Sequence, residues 1–288
     1  MASRCEVVLA GLNEAEATRL AALAEAEVHR IEQKYSRFLP DSVIGQINAR
    51  AATEAVPIDE ETRALLKYAD HLFDLSDGLF DITSGLLQSV WDFKNKVIPS
   101  SKDIQPLLEH VGWREVEVSE GTIRFAKPKM QIDFGGFGKE YAADRAADVM
   151  MQSGAVSGYV NLGGDVRALG PRPDGTPWVI GIRHPRNPEK LMASIPLERG
   201  GLATSGDYER FMEKDGKRYC HILNPKTGWP VSTWQSISAI APLTITAGTC
   251  TTIAMLKEQA GIGFLEESHL AYLAIDQQGR IHQQDDTT

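Results

Sequence analysis

Cysteine is scarce in this chain, with Cys5, Cys220 and Cys250 the only three among 288 residues. They make neither an even disulfide set nor a metal-ligand spacing, so reduced thiols in a reducing compartment are expected. Positive charge is short as well: 30 Lys and Arg face 39 Asp and Glu, for a formal net charge of −9. That balance excludes sequence-independent binding to nucleic acid, which needs a surplus of cations over some face. Any phosphate bound here has to be held locally. No run of about 18 apolar residues occurs, which excludes insertion as a membrane-spanning helix. Residues 1–12 lack the basic start, apolar stretch and small-residue cleavage site of an export signal. A cytoplasmic location is therefore expected, or a periplasmic one if such a signal has been trimmed from the N-terminus. Internal repeats and low-complexity linkers are absent too, which excludes solenoid arrays.

What is present is an ordinary globular composition, 42% hydrophobic and 24% charged, long enough to bury a substantial core. Val7 to Leu9 has the look of a short strand. Asn13, with Glu16 three residues on, forms a capping-box pattern ahead of an Ala-rich helix whose apolar stripe is Leu20, Leu23, Ala24, Val28 and Ile31. A second helix is predicted from near Asp59, burying Leu65, Leu66, Ala69, Leu72 and Phe73 and stopping before Gly78. From about Glu115 every second residue turns apolar: Val116 and Val118, Ile123 and Phe125, then Ile132. Beyond this we expect a helix over Lys139–Met151, strands at Tyr159–Asn161 and Trp178–Ile182, and a strand-like run from Ile237 to Ile245. The pattern predicts one α+β unit over residues 1–288, or two intimately joined lobes, with a helical insertion near the first third.

Four segments carry chemistry. Asp133-Phe-Gly-Gly-Phe-Gly-Lys139-Glu-Tyr-Ala-Ala-Asp144 sets three glycines between a strand and a helix. Backbone N–H groups and a helix N-terminus attract an anion there, and glycine lets it come close. Lys139 adds a mobile positive charge; the plain alternative is a tight turn with a surface lysine. Asn161-Leu-Gly-Gly-Asp165 repeats the device, again with a simple turn as the alternative. Neither corner matches the dinucleotide fingerprint or the P-loop, so a different nucleotide site is implied. Thr204-Ser-Gly-Asp-Tyr208 offers Thr204 and Ser205 as donors to phosphate oxygens. In His221-Ile-Leu-Asn-Pro-Lys-Thr-Gly-Trp-Pro230, His221 is a candidate base for a hydroxyl nucleophile, because imidazole titrates near neutrality. A structural histidine is the alternative. A fifth segment, Ser76-Asp-Gly-Leu-Phe-Asp-Ile-Thr83, would let Asp77 and Asp81 orient a ring or ribose beside Phe80. On its own residues, a helix stop with a buried Asp81 holding the turn is favoured.

Taken in order, these segments resemble the ApbE family of flavin transferases, from about Met1 to Glu267. The match also takes in Tyr35-Ser-Arg-Phe-Leu-Pro-Asp-Ser42 and Asn48. The resemblance implies an α+β fold with a T-fold-like core and a flavin cleft. It further implies a reaction in which a Ser or Thr hydroxyl of an acceptor redox protein attacks FAD and expels AMP, with Mg²⁺ assisting. Position by position, it implies FAD contacts at Met1, Phe38, Gly78, Leu79, Phe80, Asp133, Lys139 and the Leu223 backbone. It assigns His221 as the base, and the Gly136 carbonyl and Thr252 as metal ligands. Homodimerisation stays open.

One departure stands out. Ala247-Gly248-Thr-Cys-Thr-Thr252 lies where the family usually has Ala-Asp-x-x-x-Thr, so Gly248 replaces a carboxylate. Mg²⁺ normally takes at least one carboxylate in such a site, and a carbonyl with a hydroxyl holds it weakly. The diphosphate, water or another acid has to complete the shell. Asn224 likewise replaces a commoner Asp, although an amide can keep the turn's hydrogen bond. Gly248 motivates a second function, FAD binding without catalysis. The same groups would serve a third, an FAD pyrophosphatase in which water replaces the acceptor. On the weakened-metal view, Gly248→Asp should tighten metal binding and raise turnover.

Overall fold

The computed structural model describes residues 4–284; Met1, an expected flavin contact, lies outside them. Its frame is a seven-stranded sheet in the order Cys5–Leu9, Gly158–Leu162, Asp165–Gly170, Gly200–Gly206, Trp234–Ala241, Tyr272–Asp276 and Ile281–Gln284. Every neighbouring pair runs antiparallel. Three helices build the main core with it: Glu14–Tyr35 packs on Gly138–Gln152, which packs on Thr244–Leu256, which lies along the Gly200–Gly206 and Trp234–Ala241 strands. A ribbon of Trp178–His184 and Asn187–Leu197 sets Ile180, Ile195 and Leu197 against Val166, Ala168 and Leu202 of the sheet. The mixed helix-and-sheet class expected from the sequence is thus observed.

Between the first two strands of that sheet order the chain makes a helical insertion. It holds helices Val43–Arg50, Glu60–Leu75 and Ser101–Leu108, a 3₁₀ segment Ile82–Val90, and a small sheet of Val56–Pro57, Thr122–Phe125 and Val116–Ser119. Local chemistry accounts for several boundaries. Asn13 Oδ1 accepts the Glu16 N–H at 2.9 Å, and Asp59 Oδ1 accepts the Thr62 N–H at 2.9 Å, each satisfying a helix-start donor. The second helix ends where Asp77 and Gly78 turn left-handed, φ 55° and 77°, and the Gly78 N–H returns to the Phe73 carbonyl at 2.8 Å.

Three expectations need correction. Leu23 is 38% exposed, so the stripe of the first helix is narrower than its sequence pattern. Ile132 belongs to no strand: Asn48 bonds both of its backbone groups, Oδ1 taking the N–H at 2.7 Å and Nδ2 donating to the carbonyl at 3.0 Å. One side chain thereby does what a neighbouring strand would. The run Ile237–Ile245 is not one strand, because the strand Trp234–Ala241 breaks at Pro242 and Leu243 and a helix begins at Thr244.

Candidate functional site

Two helices that meet near their N-terminal ends organise the site. Gly138–Gln152 follows the glycine corner, and Gly136 lies flat on the Phe80 ring: a Cβ there would come within 2.8 Å of Phe80 Cζ. Asp133 accepts the Gly135 N–H at 2.9 Å and pairs with the Arg37 guanidinium at 3.2 Å. Nearly two turns into the helix, buried Asp144 accepts the N–H groups of Thr244 and Ile245, both at 2.9 Å. It caps the helix Thr244–Leu256 from another element and adds negative charge at the positive end of that helix's dipole. Asp144→Ala is expected to cost about 2 kcal/mol, at the upper end for a lost cap, read as a lowered midpoint in thermal unfolding.

The first helix turn carries Lys139 and Glu140. Lys139 is no mobile charge: its ammonium is locked in an ion pair with Asp165, whose side chain is only 3% exposed. Burial disfavours the lysine's charge, but Glu140 and Asp165 outweigh it and hold its pKa above the usual range. Asp165 also accepts the Thr204 N–H at 3.1 Å, which ties the second glycine corner to the Gly200–Gly206 strand. The Thr204 hydroxyl is engaged with Ser238 at 2.8 Å. Ser205 Oγ lies 2.9 Å from the Thr251 hydroxyl and 3.0 Å from that of Thr252, and Thr251 donates to the Gly248 carbonyl at 3.0 Å. The chain thus brings Lys139, Asp165, Thr204, Ser205 and Thr252 to one place.

Glu140 fills the space beside Gly248. A Cβ at 248 would lie 2.6 Å from Glu140 Cγ and 2.9 Å from Oε1. The room an aspartate would need is held by the Glu140 side chain, so Gly248→Asp can add a metal ligand here only if Glu140 moves. Glu140 is 8% exposed, and its Oε2 is buried with no hydrogen-bond partner. Burial pushes its carboxyl up, against the pull of Lys139. Among the described residues no three of His, Cys, Asp and Glu converge. What the place offers a cation is hard oxygen: the Glu140 and Asp165 carboxylates and the hydroxyls of Ser205, Thr251 and Thr252. That donor chemistry fits Mg²⁺.

His221 is half-buried at the edge of this cluster. Its N–H donates to the Arg210 carbonyl at 2.9 Å, and its Nδ1 lies 3.3 Å from the same oxygen. A carbonyl only accepts, so this contact places the ring proton on Nδ1 and leaves Nε2 with its lone pair. Burial, then the positive charges of Arg210 and Lys139, push the imidazole down to about 4. It is therefore neutral at pH 7 and competent as a base. The following turn keeps its bonds with an amide: Asn224 Oδ1 accepts the Lys226 N–H at 2.9 Å and the Asn224 carbonyl accepts the Gly228 N–H at 2.8 Å. Leu223 is buried and bridges to Pro230.

Of the other expected contacts, Phe38 and Gly78 line recesses, whereas Leu79 and Phe80 pack into the core. Phe38 is 78% exposed, with the Arg37 guanidinium 4.8 Å from its ring centre. It borders a cleft of about 540 Å³ together with Arg37, Trp91, Phe93, Gln131 and Arg210. Arg210 joins that cleft to His221. Gly78 lines a second recess of about 340 Å³ with Phe73, Asp77 and Lys226. Asp77 pairs with Lys257 at 2.6 Å. Leu79 is partly buried against the core, and Phe80 is buried and stacked on Phe137 at 6.3 Å. Asp81 holds its turn as the favoured alternative had it, accepting from the Thr83 N–H at 2.7 Å, the Thr83 hydroxyl at 2.6 Å and the Trp113 N–H at 3.1 Å. Sequence reasoning named no role for Arg37, Glu140, Asp165 or Arg210. Arg37, Glu140 and Asp165 all sat inside quoted motifs, but nothing in its own segment singled out Glu140.

Comparison with known proteins points the same way. The ApbE family model matches residues 1–274. A FAD:protein FMN transferase of Vibrio cholerae is 27% identical over 256 residues, covering 86% of this chain and 76% of that protein. One from Haemophilus influenzae is 29% identical over 265 residues, covering 87% and 77%. Among solved structures, the ApbE protein of Thermotoga maritima superposes with a TM-score of 0.89 at 31% identity, covering 98% of this chain and 97% of that one. The apo form of the Pseudomonas stutzeri flavinyl transferase ApbE gives 0.85 at 27%, covering 98% and 90%. With a family model spanning nearly its whole length and a fold shared with these structures from end to end, the chain belongs to the ApbE family.

Proposed function

We propose that the protein is an FAD:protein FMN transferase, moving FMN from FAD onto a Ser or Thr hydroxyl of an acceptor redox protein. The observation that carries this is the neutral His221, its Nδ1–H tied to Arg210 and its Nε2 free, at the edge of the cluster around Lys139 and Ser205. The acceptor oxygen attacks the phosphorus that bears riboflavin. A new O–P bond forms as the diphosphate P–O bond breaks, AMP leaves, and the acceptor's proton passes to His221 Nε2. Lys139 and the hydroxyls of Ser205 and Thr252 supply donors for anionic oxygens near the N-terminus of the helix Gly138–Gln152. A divalent cation, Mg²⁺ by the donor chemistry, neutralises diphosphate charge when bound. Phe38 and the aromatic cleft beside it suit the flat isoalloxazine ring.

Incubation with FAD, Mg²⁺ and a candidate acceptor is expected to add one FMN to the acceptor, seen by mass spectrometry, with one AMP released per adduct. An acceptor whose target Ser or Thr is changed to Ala should stay unmodified. FMN and AMP released together without an adduct would identify a pyrophosphatase instead, and FAD bound without AMP release a storage protein.

A further inference from the structure

Gly248 leaves this chain without a side chain where its family usually places a metal-binding carboxylate, yet a carboxylate occupies that space. We propose that Glu140 is the acidic ligand of the divalent cation in this protein, supplied by the helix Gly138–Gln152 in place of a side chain at 248. The inference rests on the flavin-transfer function and names the residue that completes its metal site. Three observations carry it. The Glu140 side chain passes so close to Gly248 that a Cβ there would sit 2.6 Å from its Cγ, so its carboxylate lies beside the backbone of the helix that bears Thr252. Its Oε2 is buried and without a hydrogen-bond partner, although a buried carboxylate oxygen loses its hydration and normally finds a donor. Lys139 does not fill that need, being 4.0 Å from Oε1 and committed to Asp165. An unpartnered carboxylate oxygen on a side chain packed against Gly248, four residues before Thr252 on the same helix, is what a hard cation uses. The motive for a non-catalytic function, a missing carboxylate, then disappears.

The test uses Mn²⁺ as the probe, with bound and free ion counted by electron paramagnetic resonance on the full chain, with and without FAD. FAD binding is followed separately by quenching of flavin fluorescence. Glu140→Gln keeps the shape of the side chain and is expected to weaken Mn²⁺ at least about tenfold, since even second-layer changes around a metal commonly cost 10- to 100-fold. Its affinity for FAD without metal should stay close to that of the unmodified protein. Gly248→Asp combined with Glu140→Ala moves the carboxylate to the other helix and is expected to regain Mn²⁺ binding. Wild-type Mn²⁺ affinity in a folded Glu140→Gln protein that still binds FAD would overturn the role of Glu140 alone. Failure of the unmodified protein to quench flavin fluorescence would instead overturn the flavin function.

Discussion

Replacing His221 by Asn is expected to slow FMN transfer by about 10²- to 10⁴-fold, the usual contribution of a positioned base, while FAD affinity changes little. Asparagine can still donate to the Arg210 carbonyl, so the local turn is kept and the loss reports the missing Nε2. The wild-type pH profile gives an independent check. Burial, Arg210 and Lys139 depress the imidazole to about 4. A depressed pKa keeps the base form populated as pH falls, so the acid limb of kcat/KM should fall near pH 4 rather than near the 6.5 of a free imidazole. An acid limb at 6.5 that Glu140→Gln leaves in place would mean that the ring is solvated and that this base assignment is wrong.

Lys139→Met should have the largest effect on stability. It strands Asp165, whose side chain is 3% exposed, without its cation and beside a second buried carboxylate. Removing one partner of a buried ion pair typically costs about 3–5 kcal/mol, because the remaining charge has lost both water and its counter-ion. For a chain of this size that corresponds to a fall in Tm of roughly 10 °C, measurable by calorimetry. Adding Asp165→Asn to Lys139→Met should recover much of the loss, because the uncompensated charge is gone. An unchanged Tm in the single variant would show that the Thr204 N–H alone satisfies Asp165.

Where a signal lies within a few residues, the sequence was readable. Asn13 and Glu16, Asp59, and the stop at Asp77 and Gly78 all act on their own helices and were legible. Ser42, whose Oγ takes the Gly45 N–H at 2.8 Å, and the Ser100 and Asp103 capping box offered the same kind of signal for two helices that went unread. The helix Thr244–Leu256 is different in kind. It is buried on nearly every side, so its apolar residues show no helical period, and Thr-rich β-branched composition favours a strand. Its cap comes from Asp144, 100 residues earlier in the chain. The same division runs through the site. His221, Lys139 and Ser205 were found because they sit in recognisable segments. Glu140 was passed over because its meaning depends on Gly248, and only the packing of two helices makes them neighbours.

That close approach constrains how the protein can be altered. Acids at both positions would collide and repel, so Gly248→Asp introduced alone into this background meets a steric and electrostatic barrier. A chain small at both positions would keep the fold but leave a hole between the helices. Any stepwise exchange of one arrangement for the other has to empty Glu140 first, and position 248 cannot be judged without knowing its occupant across the gap.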